Sequence, residues 1–201
     1  MRVGVLASGE GSNLQAILDR LHRREGIEVV AVGSDKPGAR ALERARAAGV
    51  PTMVFEQPDR RERDAAIASW LEQSRVELVV LAGYMRLLGP AFLGRFPRRV
   101  INVHPALLPA FPGIGAVEQA LAHGVKVFGV TVHLVDEGVD TGPIIAQRAL
   151  ELPDAADAAE VREALRPLEH DLLCEVVRQI ARGAVVLEGG RCKVRPDDAA
   201  G

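Results

Sequence analysis

An apolar run, Val3 to Ala7, opens the chain, and apolar residues then recur at Leu14, Ile17, Leu18 and Leu21. The run predicts a buried strand, and the i, i+3, i+4, i+7 spacing predicts an amphipathic helix. The same switch of period repeats. Ile27 to Val32 reads as a strand, Ala39 to Ala48 as a helix stopped by Gly49, and Pro51 to Phe55 as a third strand. Asp59 to Gln73 follows as a helix with Ile67, Trp70 and Leu71 inward. The nearly unbroken apolar run Val76 to Ala82 reads as a central strand covered on both faces. Such βα alternation predicts a doubly wound, mostly parallel α/β sheet with a Rossmann-like N-terminal half.

Beyond residue 98 the pattern is less regular. Arg99 to His104, Lys126 to Val135 and Ile144 to Leu150 read as strands, and Ala116 to His123 as a short helix. A long helix is expected over Ala156 to Ala181, with Val161, Leu165, Leu168, Leu172, Val176 and Ile180 on one face and a kink or break at Pro167. Ala184 to Val194 reads as a C-terminal hairpin turning at Gly189-Gly190, and residues 196–201 as a frayed tail.

Composition narrows the function classes. The 201 residues are 48% hydrophobic and 26% charged, which suits one folded domain over 1–201. With 25 basic and 27 acidic residues mixed along the chain and 3% aromatics, no footprint for nucleic acid is visible. The absence of a membrane-length apolar span or a signal-type N-terminus predicts a cytoplasmic protein without a membrane partner. Cys174 and Cys192 lack metal spacing, so two reduced thiols and no metal are expected.

Four segments are able to carry chemistry. Ser8-Gly9-Glu10-Gly11-Ser12-Asn13 links the first strand to the first helix, where glycines and first-turn amides suit a phosphate. A helix capped by Ser or Asn is the plainer alternative. Leu14 stands where a dinucleotide fingerprint has its third glycine, and Asp35 is a loose match for its ribose-binding acid, so a mononucleotide-type phosphate fits better. Asn102 and His104, two apart at a strand end, share one face; an amide beside an imidazole suits a carbonyl under attack. A structural His with a loop-closing Asn is the alternative. Asp136 to Pro143 reads as a turn whose carboxylates are able to orient an imidazole, and Gly83 to Leu88 as an apolar loop bearing one Arg.

Taken in order, SGEGSNLQAIL, LAGYMRLLGP, INVHPALLPAFPG and GVTVHLVDEGVDTGPIIAQ closely resemble the phosphoribosylglycinamide formyltransferase family of purine biosynthesis, over residues 1 to about 185. The resemblance implies a folate-dependent transferase that moves the formyl group of 10-formyltetrahydrofolate, its co-substrate, to the amine of glycinamide ribonucleotide. It implies a phosphate-binding half over 1–100 and a catalytic, folate-binding half over 101–195. Gly11, Ser12 and Asn13 would hold the ribose-phosphate, and Arg166, Pro167, Leu168 and Glu169 would meet the glycinamide side. Met85, Arg86, Leu87, Leu88 and Asn102 would line the folate site, with Asp136, Glu137, Gly138, Val139 and Asp140 around the pterin. Arg60 takes the family's folate-side position rather than Arg61, because Asp64 then follows four residues later. Asn102, His104 and Asp140 would be the catalytic trio.

The chain departs from the family at Ala106, where Ser is frequent, and at Ile114-Gly115-Ala116, where some members carry histidines. His133, in the strand TVHLV, reads as a packed structural histidine, with a place near the site as the alternative. Methionyl-tRNA formyltransferase is the nearest rival and would bring a nucleic-acid partner. It normally adds a C-terminal domain, carries Arg where Pro112 stands, and lacks the Gly-Ser-Asn turn. A formyltetrahydrofolate hydrolase would normally add a regulatory domain, and a non-catalytic binding module would break the trio. Small-molecule substrates and a monomer or homodimer are expected.

Overall fold

The computed structural model describes residues 1–195; the expected tail over 196–201 lies outside the described residues. Two compact units divide the chain, Met1–Asn102 and from Val103 onward. The strands form one seven-stranded sheet and a separate two-stranded pair.

In the first unit the strands are β1 (Arg2–Leu6), β2 (Glu28–Ser34), β3 (Thr52–Val54), β4 (Leu78–Leu81) and the start of β5 (Val100–His104). β1 pairs in parallel with β2 and β4, β2 with β3, and β4 with β5. The helices are α1 (Ser12–Arg20), α2 (Arg40–Ala47), α3 (Arg60–Gln73) and α4 (Pro90–Leu93). Leu14, Ile17 and Leu21 are fully buried, as their spacing requires, and β4 is buried along its whole length. The βα alternation predicted from periodicity is therefore present, with parallel strands as such crossovers demand. α4 was not predicted. Four residues carry no period, but Pro90 fits the first helical turn, and Phe92 is buried with Phe96 stacked on it at 5.1 Å.

The second unit holds the end of β5, α5 (Ala116–Ala122), β6 (Val127–Leu134), β7 (Ile144–Glu151), α6 (Ala158–Ala181), β8 (Val185–Glu188) and β9 (Arg191–Val194). β6 and β7 are antiparallel, as are β8 and β9. α6 packs on β6 and β7 and runs through Pro167 without a break. Pro167 and Glu163, whose carbonyl loses its usual donor, are both exposed residues, so the missing bond falls on the solvent side of the helix rather than against the sheet. The buried stripe of α6 differs from the expected one: Leu173 and Val177 join Val161, Leu165, Leu172 and Val176, while Leu168 and Ile180 are half-buried. Among the described residues no helix is long and apolar enough to cross a membrane.

Candidate active site

In the first unit, parallel strands end where their loops carry the polar residues singled out above. Gly11 caps α1 with φ 73°, and a Cβ there would lie 2.7 Å from the Ala41 backbone, so no other residue fits this turn. Ser12 and Asn13 do not cap the helix: the N-cap is Gly11, and the first intrahelical bond runs from the Gln15 amide to the Gly11 carbonyl at 2.9 Å. The amides ahead of that bond belong to the class of donor that holds anions. Glu10, within the loop, is drawn aside by Arg40 at 2.7 Å and Arg44 at 3.1 Å, which offsets a carboxylate that would repel a phosphate.

Segment 83–89 follows β4 and is tied down along its length. The Met85 amide donates to Ser8 Oγ at 2.8 Å, and Arg86 Nε donates to Asp35 at 3.0 Å. Arg60, at the start of α3, donates to the Leu88 carbonyl at 2.6 Å, and the Gly89 amide donates to Asp64 at 2.6 Å. Burial pushes the Asp64 carboxyl up despite the Gly89 amide and two nearby guanidinium groups, and burial pushes the Tyr84 phenol up to about 12. Leu88 is buried, whereas Met85 and Leu87 are 58% and 56% exposed, an apolar face of the kind a flat aromatic ligand covers.

The second unit assembles an acid between two imidazoles. His104, on the last residue of β5, is 5% exposed, and its Nδ1 lies 3.3 Å from Asp140 Oδ2. The other Asp140 oxygen lies 3.4 Å from His133 Nε2, and the Gly113 amide donates to Asp140 at 2.8 Å. His133 is therefore both packed, at 2% exposure, and part of this cluster, so the two readings open to it in the sequence hold together. Burial pushes the Asp140 carboxyl up, but the His133 hydrogen bond, the Gly113 amide and the charges of both imidazoles outweigh it and hold it at about 2. His104 Nε2 sits 2.8 Å from the Phe111 carbonyl. Both neighbours of the ring are acceptors, and only a doubly protonated imidazole donates to both at once.

Backbone geometry explains how residues 36 positions apart meet. β6 and β7 are joined by the loop from Val135 to Pro143, in which Asp136 accepts from the Gly138 amide at 3.1 Å and the Thr141 hydroxyl at 2.7 Å. A Cβ on Gly142 would lie 1.8 Å from the Leu134 carbonyl, so the return of the chain requires glycine. Asp140 takes φ 53°, and its carboxylate is aimed at the rings. Asn102 lies two residues before His104 on β5, half-buried, on the same strand face. Arg166 to Glu169 lie on α6, where Arg166 pairs with Glu163 at 2.9 Å. Ser8, Asp35 and Asp64 were not singled out as site residues. The signal for the first two is their place just past the ends of β1 and β2.

The formyl transferase family model matches residues 1–177. The chain belongs to the formyltransferase family. Within it, the chain is 47% identical over 191 residues to the phosphoribosylglycinamide formyltransferase of Mycobacterium tuberculosis, spanning 94% of this chain and 88% of the relative. It is 44% identical to that of Bacillus subtilis over 89% of this chain and 94% of the relative. Glycinamide ribonucleotide transformylase 1 from Symbiobacterium toebii superposes with a TM-score of 0.92 at 48% identity, covering 98% of this chain and 94% of that one. The formyltransferase fold and the family resemblance drawn from the four motifs are thus shown. Among the described residues no group of three or more His, Cys, Asp or Glu is placed to hold a metal ion.

Proposed function

We propose that this formyltransferase moves the formyl group of 10-formyltetrahydrofolate to the amine of 5'-phosphoribosylglycinamide, giving the N-formyl ribonucleotide and tetrahydrofolate. The observation that carries the reading is the His104-Asp140 pair at the end of β5, 3.3 Å apart, in a chain whose relatives are phosphoribosylglycinamide formyltransferases. Gly11, Ser12 and Asn13 bind the phosphate, and Arg166 to Glu169 receive the glycinamide end. Arg60, Met85 to Leu88, Asn102 and Asp136 to Asp140 hold the folate. The exposed Met85 and Leu87 side chains fit a flat heteroaromatic ring.

The substrate amine attacks the formyl carbon, a C–N bond forms, and the bond from that carbon to the folate nitrogen breaks. One proton leaves the amine and one reaches the departing nitrogen, so no oxidant, metal or protein nucleophile enters the balance. Asn102 and His104 donate to the oxygen that gains charge at the tetrahedral stage. The substrate oxygen replaces the Phe111 carbonyl at His104 Nε2, and His104 then passes its proton toward the leaving nitrogen. Asp140, ionised throughout the working range, holds the opposite side of the ring and stabilises its charged form; His133 and Gly113 fix Asp140 in turn. A cytoplasmic site of action belongs to the same reading.

The test is an assay of purified protein with both substrates. Tetrahydrofolate release that requires the ribonucleotide is expected. Release at the same rate without it assigns hydrolysis instead, and no release overturns the proposal.

A further inference from the structure

Three neighbouring parallel strands, β2, β1 and β4, deliver one polar residue each to a single buried knot. Asp35 directly follows β2, Ser8 lies two residues past β1, and Arg86 lies five past β4. The Asp35 side chain is 2% exposed and accepts from the Ser8 hydroxyl at one oxygen and from Arg86 Nε, 3.0 Å away, at the other. Ser8 is 3% exposed, and its hydroxyl has one proton, given to Asp35, while its oxygen receives the Met85 amide at 2.8 Å. Its own amide donates to the Gly83 carbonyl at 3.0 Å.

A buried carboxylate is costly unless its oxygens are satisfied, and an apolar core needs none. The donors that satisfy this one come from the loop that continues into Gly11-Ser12-Asn13 and from the segment that runs into Leu88. We infer that Asp35 is a positioning residue which, through Ser8 and Arg86, locks the folate-facing segment 83–88 to the phosphate loop, so that the folate site keeps its shape only while this knot is closed. The inference rests on the substrate assignments proposed above. Asp35 does not present itself as a ribose-binding acid of the dinucleotide type, because its side chain is 2% exposed and is turned to Ser8 and Arg86.

The experiment compares Asp35→Ala, Ser8→Ala and the double variant. The expected result is a rise in KM for 10-formyltetrahydrofolate on the order of tenfold in Asp35→Ala and several-fold in Ser8→Ala, with kcat and the ribonucleotide KM within about twofold of wild type. Because Ser8 and Asp35 act in series, the double variant should match the more impaired single one rather than multiply the two effects. An unchanged folate KM in Asp35→Ala and Ser8→Ala, or multiplicative effects in the double variant, overturns the inference. Amide hydrogen exchange of segment 83–88 in protein without substrates supplies a readout independent of activity. Faster exchange at Met85 in Asp35→Ala is expected, and equal exchange counts against the knot. An inactive wild type would sink the substrate assignments while leaving that exchange result to judge the knot itself.

Discussion

Asp140→Asn probes what the acid contributes, because the side chain keeps its size while losing its charge and one of its two acceptor oxygens. The carboxyl lies at about 2 against an ordinary 3.8, which corresponds to about 2 kcal/mol in favour of the ionised folded state, and the group is 13% exposed at its side chain, so solvent screens little of it. The sign follows from a lowered carboxyl value. The stabilisation is complete above pH 3.8 and is lost as pH falls toward 2. At neutral pH the variant should lose about 2 kcal/mol, a Tm drop of about 4–8 °C for a chain of this size, and its acid unfolding should flatten between pH 4 and 2. Turnover should fall about 10²–10⁴-fold, since the His104 imidazolium loses its counter-charge and its orientation together. Steady-state absorbance of folate release, alongside scanning calorimetry from pH 7 down to 2, measures both. A variant that folds and keeps kcat within about threefold of wild type would refute the reasoning.

Gly11→Ala should raise the ribonucleotide KM at least about tenfold, because φ 73° and the 2.7 Å approach to Ala41 force the phosphate loop to shift; an unchanged KM in steady-state kinetics would count against the loop's role. His22 accepts the Val29 amide at Nδ1, 3.1 Å away, and burial together with Arg23 lowers its protonation. A lowered imidazole value means stability that is full above pH 6.5 and is lost as pH falls below it, so urea midpoints should drop from pH 7.5 to 5.5 in wild type and stay flatter in His22→Gln. Parallel pH dependence in the two proteins would remove His22 from the account.

The first half of the chain was legible because its elements are long enough to show a period. Leu14, Ile17 and Leu21 mark α1 unambiguously, whereas Pro90-Ala91-Phe92-Leu93 is one turn long and shows none. Pro167 does not break α6, for a different reason: its penalty depends on how the carbonyl four residues back is satisfied, and Glu163, which carries it, is an exposed residue. Within the site, Asn102 and His104 could be placed on one strand face by alternation alone. Their acid could not, because the approach of Asp140 depends on the β6-β7 return and on the room that Gly142 leaves beside Leu134. For His133 the sequence favours packing over a place near the site, since burial and partnership with a carboxylate leave the same mark in an apolar strand. Ser8, Asp35 and Arg86 are polar residues on three separate loops, and only the side-by-side order of β2, β1 and β4 makes one knot of them.

The proton-moving role of the β5 imidazole is tested most directly by His104→Ala, with rapid-mix single turnover and equilibrium binding of each substrate measured on the same preparation. A chemical step slowed by at least about 10²-fold, with both substrates bound within a few-fold of wild-type affinity, is the result the account predicts. A chemical step near the wild-type rate in that folded variant would contradict it.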